Sequence, residues 1–206
     1  MRRLGVDVGQ KFKIGELSSI ETLLEAHEKY VLSRPLHIQS SLGVQFLREV
    51  ARTGNFDFIK YFWKVKKCRK SYQVAQGAAS GGHLELLKYL HEKKWKVEWV
   101  AARNAASNGH LECLKYLIEE LNLNYKGYEC RAAYNGHLNI LQYYVDRDLE
   151  KSDYACDWAA ENGQLEALKF LHENGWRWDA RTLQVARENG HWDCYNYAKE
   201  HGCPGK

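Results

Sequence analysis

The sequence predicts an all-α solenoid, a row of short helix–turn–helix units, and three observations carry that expectation. First, one block recurs: AASGGHLELLKYL from Ala78, AASNGHLECLKYL from Ala105, AAYNGHLNILQYY from Ala132 and AAENGQLEALKFL from Ala159. Second, its glycine returns at Gly54, Gly82, Gly109, Gly136, Gly163 and Gly190, separated by 28 residues once and by 27 four times. A period held to one residue over six copies marks an array of stacked units. Third, the apolar residues within each unit follow helical spacing and do not alternate as in a strand.

Each unit opens with a first helix. Counted from the glycine, offsets −8, −4 and −3 are apolar and mostly small, as in Ala101, Ala105 and Ala106. Small residues there let neighbouring helices approach closely. The glycine ends this helix in the left-handed conformation that side chains disfavour. A second helix follows. Offset +2 reads Phe56, Leu84, Leu111, Leu138, Leu165 and Trp192, and offset +5 reads Ile59, Leu87, Leu114, Leu141, Leu168 and Tyr195. Offset +7 is always aromatic: Tyr61, Tyr89, Tyr116, Tyr143, Phe170 and Tyr197. Lys60, Lys88, Lys115 and Lys169 at offset +6 are expected on the outer face. After this helix, offset +13 carries Cys68 (with one insertion), Trp95, Asn122, Leu149, Trp176 and Cys203, predicted to tuck the loop onto the stack. Neither helix can hide its apolar face alone, so each copy is the wall against which the next one packs. Residues 41–206 thus hold six stacked units, and residues 1–40, with the weak echo GELSSIETLL from Gly15, read as a degenerate N-terminal capping unit.

The AAxNGHLExLKYL block resembles the helix–turn–helix half of the ankyrin repeat over roughly residues 41–206. The usual TPLH opening is absent, and the spacing is 27 where ankyrin repeats have about 33. The resemblance therefore implies β-hairpin fingers that are shortened or absent. The short period, with NGWRWDARTLQVARENGH from Asn174 and the closing EHGCPGK, is similar to compact ankyrin-like units of large DNA viruses, algae and protists. Ankyrin proteins mostly act as protein-binding scaffolds. The resemblance implies that role here, with another protein, or a subunit of a larger assembly, as partner.

Composition agrees with a packed array. The 206 residues are 45% hydrophobic and 27% charged, and only 2 prolines leave no room for a Pro-rich linker. No apolar run approaches the ~20 residues of a membrane span, so no membrane partner is expected. MRRLGVDVGQKFKIG lacks the apolar region of a secretory signal. The six cysteines fall at helix-core or loop-anchor offsets, which points to free thiols and a reducing cytoplasmic or nuclear compartment. Charge is uneven: residues 1–100 hold 18 Lys/Arg against 10 Asp/Glu, and residues 101–206 hold 12 against 16.

Nothing in the pattern asks for a cofactor or small molecule. His83, His110, His137 and His191 follow the turn glycines on successive units, too far apart to converge on one metal ion. Asn55 and Gln164 hold the same offset, which fits turn hydrogen bonding. The thiols lack a neighbouring base, and the carboxylates at offset +3 are matched by lysines three residues on, so no catalytic set is expected. Two surfaces remain. One is a basic edge of Lys64, Lys66, Lys67, Arg69 and Lys70 with Lys93, Lys94 and Lys96 one repeat later, open to nucleic acid as the alternative function. The other is the groove lined by offsets −9, −6, −5 and −2 of the first helices. It holds Arg103, Arg131, Tyr134, Tyr154, Asp157 and Trp158, residue types that anchor protein interfaces. This groove is the expected partner site of a non-catalytic scaffold.

Overall fold

In the computed structural model, residues 20–32, 36–64, 70–124 and 126–205 are described, and among them there is no strand. The chain divides into two compact units, residues 1–101 and 102–206.

The first unit begins with α1 (Ile20–His27), prolonged by a wider turn at Glu28–Leu32. It continues through α2 (Leu36–Arg52), α3 (Phe56–Lys64), α4 (Tyr72–Ser80) and α5 (Leu84–Glu92). The expected junction at residue 40 lies inside α2, and residues 1–19 of the expected cap lie outside the described residues. The His27 ring packs edge-on against Phe46 and Phe62, at 5.4 and 4.7 Å between centroids, so α1 covers the first helix pair. Helices α2 and α4 share the most extensive contact among the described elements of the unit. A Cβ on Gly77 would collide with the Arg48 carbonyl oxygen and sit 3.2 Å from the Ala51 Cβ. Glycine at this position sets the distance between the two backbones.

Helix α6 (Trp99–Ser107) spans the boundary at residue 101. The second unit continues with α7 (Leu111–Lys115), prolonged by a wider turn at Tyr116–Glu120, α8 (Tyr128–Asn135) and α9 (Leu138–Asp146). Then come α10 (Ala155–Glu161), α11 (Leu165–Glu173), α12 (Ala180–Glu188) and α13 (Trp192–Glu200). The first helices α8, α10 and α12 pack side by side, and the second helices α9, α11 and α13 form the layer behind them.

The repeat grid and the burial pattern agree for the first helices. The pairs Ala78/Ala79, Ala105/Ala106, Ala132/Ala133 and Ala159/Ala160 have no solvent exposure at all. Offset −7 is buried too, through Leu47, Ala75, Ala102, Glu129 and Cys156. On the second helices the deepest rows are +4, +5 and +8, for example Leu86, Leu87 and Leu90. The +2 and +7 residues are mostly half-buried and meet at the edges of successive turns, as where Phe56 meets the Tyr89 ring at 4.8 Å. Lysines at +6 pair with the +3 carboxylates as expected: Lys88 with Glu85 at 3.0 Å, Lys115 with Glu112 at 3.1 Å and Lys169 with Glu166 at 2.8 Å.

Each turn is closed by the backbone N–H after the glycine, which donates to the carbonyl at offset −4, as from His137 to Ala132 at 2.8 Å. In the turns of His83 and His137 the side chain at that position also reaches back one repeat. His137 Nε2 donates to the Ser107 carbonyl at 3.0 Å, and its ring covers Gly109, where a Cβ would lie 2.8 Å from Nδ1. Gly109 has φ 76°, so the turn excludes a side chain by both conformation and space. His83 repeats the arrangement on the Arg52 carbonyl at 2.9 Å. A carbonyl only accepts, so in both histidines Nε2 carries the proton and is already used. Among the described residues no group of three or more His, Cys, Asp or Glu could hold a metal ion.

One loop position differs from expectation. In most units the N–H at offset +13 donates to the carbonyl at +8, as Trp95 to Leu90 at 2.9 Å and Trp176 to Leu171 at 3.0 Å. The wider turn at Tyr116–Glu120 absorbs one extra residue, so Leu123 donates to Leu117 instead, at 3.1 Å. Asn122 is therefore exposed and takes the left-handed position, φ 51°, which Lys94, Gly175 and Gly202 hold elsewhere. Leu123 is the apolar anchor of that loop.

Candidate functional site

The first helices of the second unit carry the aromatic and arginine residues singled out by sequence. Tyr154 is the N-cap of α10, and Trp158 follows one turn later on the same face. The Trp158 ring meets Tyr134 of α8 edge-on, 5.8 Å between centroids, and the Arg131 guanidinium lies over the indole at 4.4 Å. Asn162 donates to the Tyr134 carbonyl at 2.8 Å, tying the end of α10 to the end of α8 and holding the two aromatic rings in register. Tyr154 is 56% exposed, and the Arg181 guanidinium stands 5.9 Å from its ring. Arg131, Tyr134, Tyr154 and Trp158 thus form one face. Arg103 stands by Tyr128, whose phenol burial pushes up while the Arg103 charge pulls it down.

Asp157 is a correction. Its offset was expected to face outward, yet the residue is 4% exposed. Thr182 at the start of α12 supplies the reason: its hydroxyl donates to Asp157 Oδ1 at 2.6 Å, and Arg181 Nε lies 3.4 Å from Oδ2. The carboxylate therefore joins α10 to α12 and is not part of an open surface. Burial raises its pKa, opposed by the Thr182 hydrogen bond and the Arg181 charge.

Two residues escaped the sequence reading. Arg181, at offset −9 like Tyr154, completes the exposed face. Glu129 is fully buried at offset −7, a column otherwise filled by Leu47, Ala75, Ala102 and Cys156. A carboxylate in an apolar column was the signal available. Its Oε1 accepts from the Ser152 N–H at 3.0 Å, fastening the loop before α10 to the start of α8. Burial pushes its pKa up, and hydrogen bonds from backbone N–H groups and the Tyr144 hydroxyl pull it back.

The basic edge is described only in part, because Lys66, Lys67 and Arg69 lie outside the described residues. Lys96 pairs with Glu98 at 2.5 Å. Lys70 donates to the Lys93 carbonyl, and its ammonium lies 5.5 Å from the Trp63 ring. Lys93 lies 5.7 Å from the Tyr89 ring. Much of the described charge is thus engaged within the protein.

The five described cysteines are unpaired and buried; Cys68 lies outside the described residues. Burial pushes the Cys113, Cys130 and Cys194 thiols up to about 11, the opposite of an activated nucleophile. No helix among the described residues is long and apolar enough to cross a membrane.

Paired helices closed by a glycine turn, stacked in two layers within residues 102–206 and presenting side chains from the first helices, define a helical repeat array. Residues 75–154 match the family model for ankyrin repeats (3 copies). Ankyrin repeats such as those matched over residues 75–154 are generally protein–protein interaction modules. No curated protein matches it.

Proposed function

We propose that this protein is a non-catalytic scaffold that binds another protein through the first-helix face of residues 102–206, centred on Tyr134 and Trp158. One observation carries the reading. Trp158 occupies an offset held by Gly77, Asn104 and Arg131 in other copies, so packing of the repeat does not require an indole there. Its ring is only half-buried, and it clusters with Tyr134 and Arg131 instead of entering the core. Tyr, Trp and Arg clustered on one face are the composition of interface anchors. Nucleic acid at the basic edge is supported less well, since Lys70, Lys93 and Lys96 already have partners in the chain.

Affinity capture with quantitative mass spectrometry tests this, comparing the intact chain with Trp158→Ala and with a variant carrying Ala at Lys64, Lys70, Lys93 and Lys94. Proteins lost with Trp158→Ala and kept by the lysine variant are the expected result. Loss with the lysine variant alone, reversed by nuclease, moves the function to the basic edge.

A further inference from the structure

The offset +6 lysines of the second helices are neutralised where they stand, each by a carboxylate three residues before it. Arg131 is different. Its only described side-chain contact is the Trp158 ring at 4.4 Å, and no carboxylate of the described residues lies within ion-pair distance of it. The acidic residues of α8 and α10 do not serve it: Glu129 is buried on the Ser152 N–H, Asp157 is buried on Thr182, and Glu161 makes no ion pair with it. The guanidinium lies over the indole and keeps its N–H donors, a planar fork that matches a carboxylate in bidentate fashion. Arg181 stands beside Tyr154 on the same face, 62% exposed, its Nε paired with the buried Asp157 carboxylate at 3.4 Å and the rest of the guanidinium open to solvent. The face therefore offers positive charge next to aromatic surface, with the hydrogen-bonding edge of Arg131 unused.

We infer that this face recognises an acidic segment of the partner protein. A Glu or Asp carboxylate pairs with Arg131, and an adjacent apolar side chain lies against Tyr134 and Trp158. The inference rests on the protein-binding reading above and narrows it to one chemistry. The indole holds the guanidinium in place before binding, so little side-chain freedom is lost when the carboxylate arrives.

Selection from a random peptide library on the intact chain tests it, run in parallel on Trp158→Ala and Arg131→Gln. Enriched peptides should carry Asp or Glu next to an apolar residue. The best of them, resynthesised, should bind Arg131→Gln at least about tenfold more weakly, with Arg131→Lys in between because it keeps the charge and loses the fork. Circular dichroism should show all variants folded, since Arg131 touches only the surface ring. Peptides that depend on Trp158 but lack acidic residues overturn the acidic partner and leave the protein-binding face standing. Peptides that bind only when phosphorylated assign the edge to phosphate and overturn the carboxylate. Peptides retained equally by Trp158→Ala and Arg131→Gln, or no enrichment over Trp158→Ala, overturn both readings.

Discussion

The same repeat position is used in opposite ways in the two halves of the molecule. At offset −5, residues 1–101 carry Gly77, buried, with the Arg48 carbonyl against the place a side chain would begin. Residues 102–206 carry Trp158 at that offset, half-buried, with the Arg131 guanidinium 4.4 Å from its ring. In the first case the position brings two helix backbones together. In the second it displays a ring. A repeat constrains only the offsets that every copy must bury, and the remaining offsets are free to become spacing devices or binding devices. Whether a given offset does one or the other depends on the neighbouring copy and cannot be read from the column alone.

The largest expected effect tests the packing side of this contrast. Gly77→Ala places a methyl group into the Arg48 carbonyl, where backbone and not a flexible side chain must yield. Overpacking of this kind costs about 3 kcal/mol, visible as a lower urea midpoint. A shift below about 0.5 kcal/mol would mean that α2 and α4 slide apart easily and that glycine is not the spacer there.

The display side should show the reverse balance. Trp158→Ala is expected to weaken partner binding at least about 30-fold, an effect near 2 kcal/mol. Its stability cost should be about 1 kcal/mol, because the ring is not enclosed and loses mainly its edge contact and its cation–π contact. Equilibrium binding and urea unfolding of one preparation give both numbers. A variant that unfolds as severely as Gly77→Ala while binding normally would make Trp158 a packing residue and erase the contrast.

How far the sequence reveals all this follows from the same logic. The glycine period, the buried alanine pairs, the +3/+6 ion pairs and the Trp95 and Trp176 loop anchors are legible because every copy needs them. Asp157 was not legible as a buried group, because its burial depends on a threonine at one position of the next helix. The loop anchor falls at Leu123 and not at Asn122, because a wider turn leaves no mark in the spacing of the glycines. Four of the six expected face residues, Arg131, Tyr134, Tyr154 and Trp158, come together. Asp157 turns inward, and Arg103 stands by Tyr128. Their common feature is visible in retrospect: they depart from their columns toward large or charged residues. Glu129 departs in the same sense, yet its column is a buried one, so the departure there makes a structural fastening.

That difference predicts a pH signature. Burial raises the Glu129 pKa, so ionising it costs more in the folded chain than in the unfolded one. A carboxylate shifted this way contributes most below its unfolded pKa of about 4.3, and the contribution falls as pH rises through the folded value. Glu129→Gln keeps an acceptor for the Ser152 N–H and cannot ionise. The stability difference between Glu129→Gln and the parent chain should therefore shift in favour of the variant as pH rises from about 4 to neutrality. Urea midpoints measured across that range check it. A difference that moves the other way would show that the hydrogen bonds from backbone and Tyr144 outweigh desolvation. Asp157, raised for the same primary reason, is unchanged in both proteins and cancels from the comparison.

The smallest expected effect sharpens the choice of working surface. Lys94 sits at the left-handed position that ends α5, φ 59°, where Gly175 and Gly202 stand in later copies. Its N–H donates to His91 at 2.8 Å and the next residue closes on Leu90, so the turn is required whichever residue occupies it. A lysine there carries the steric cost of a left-handed backbone, and glycine removes it while adding freedom to the unfolded chain. Lys94→Gly should therefore stabilise the protein by about 0.5–1 kcal/mol, read from the urea midpoint. The same change deletes one exposed cation from the basic edge. With the working surface at Trp158, partner affinity stays unchanged while stability rises. Were the edge the working surface, binding would weaken and the salt dependence would drop by about one phosphate contact. Such a result would transfer the display role from the aromatic face of residues 102–206 to the lysines of residues 1–101.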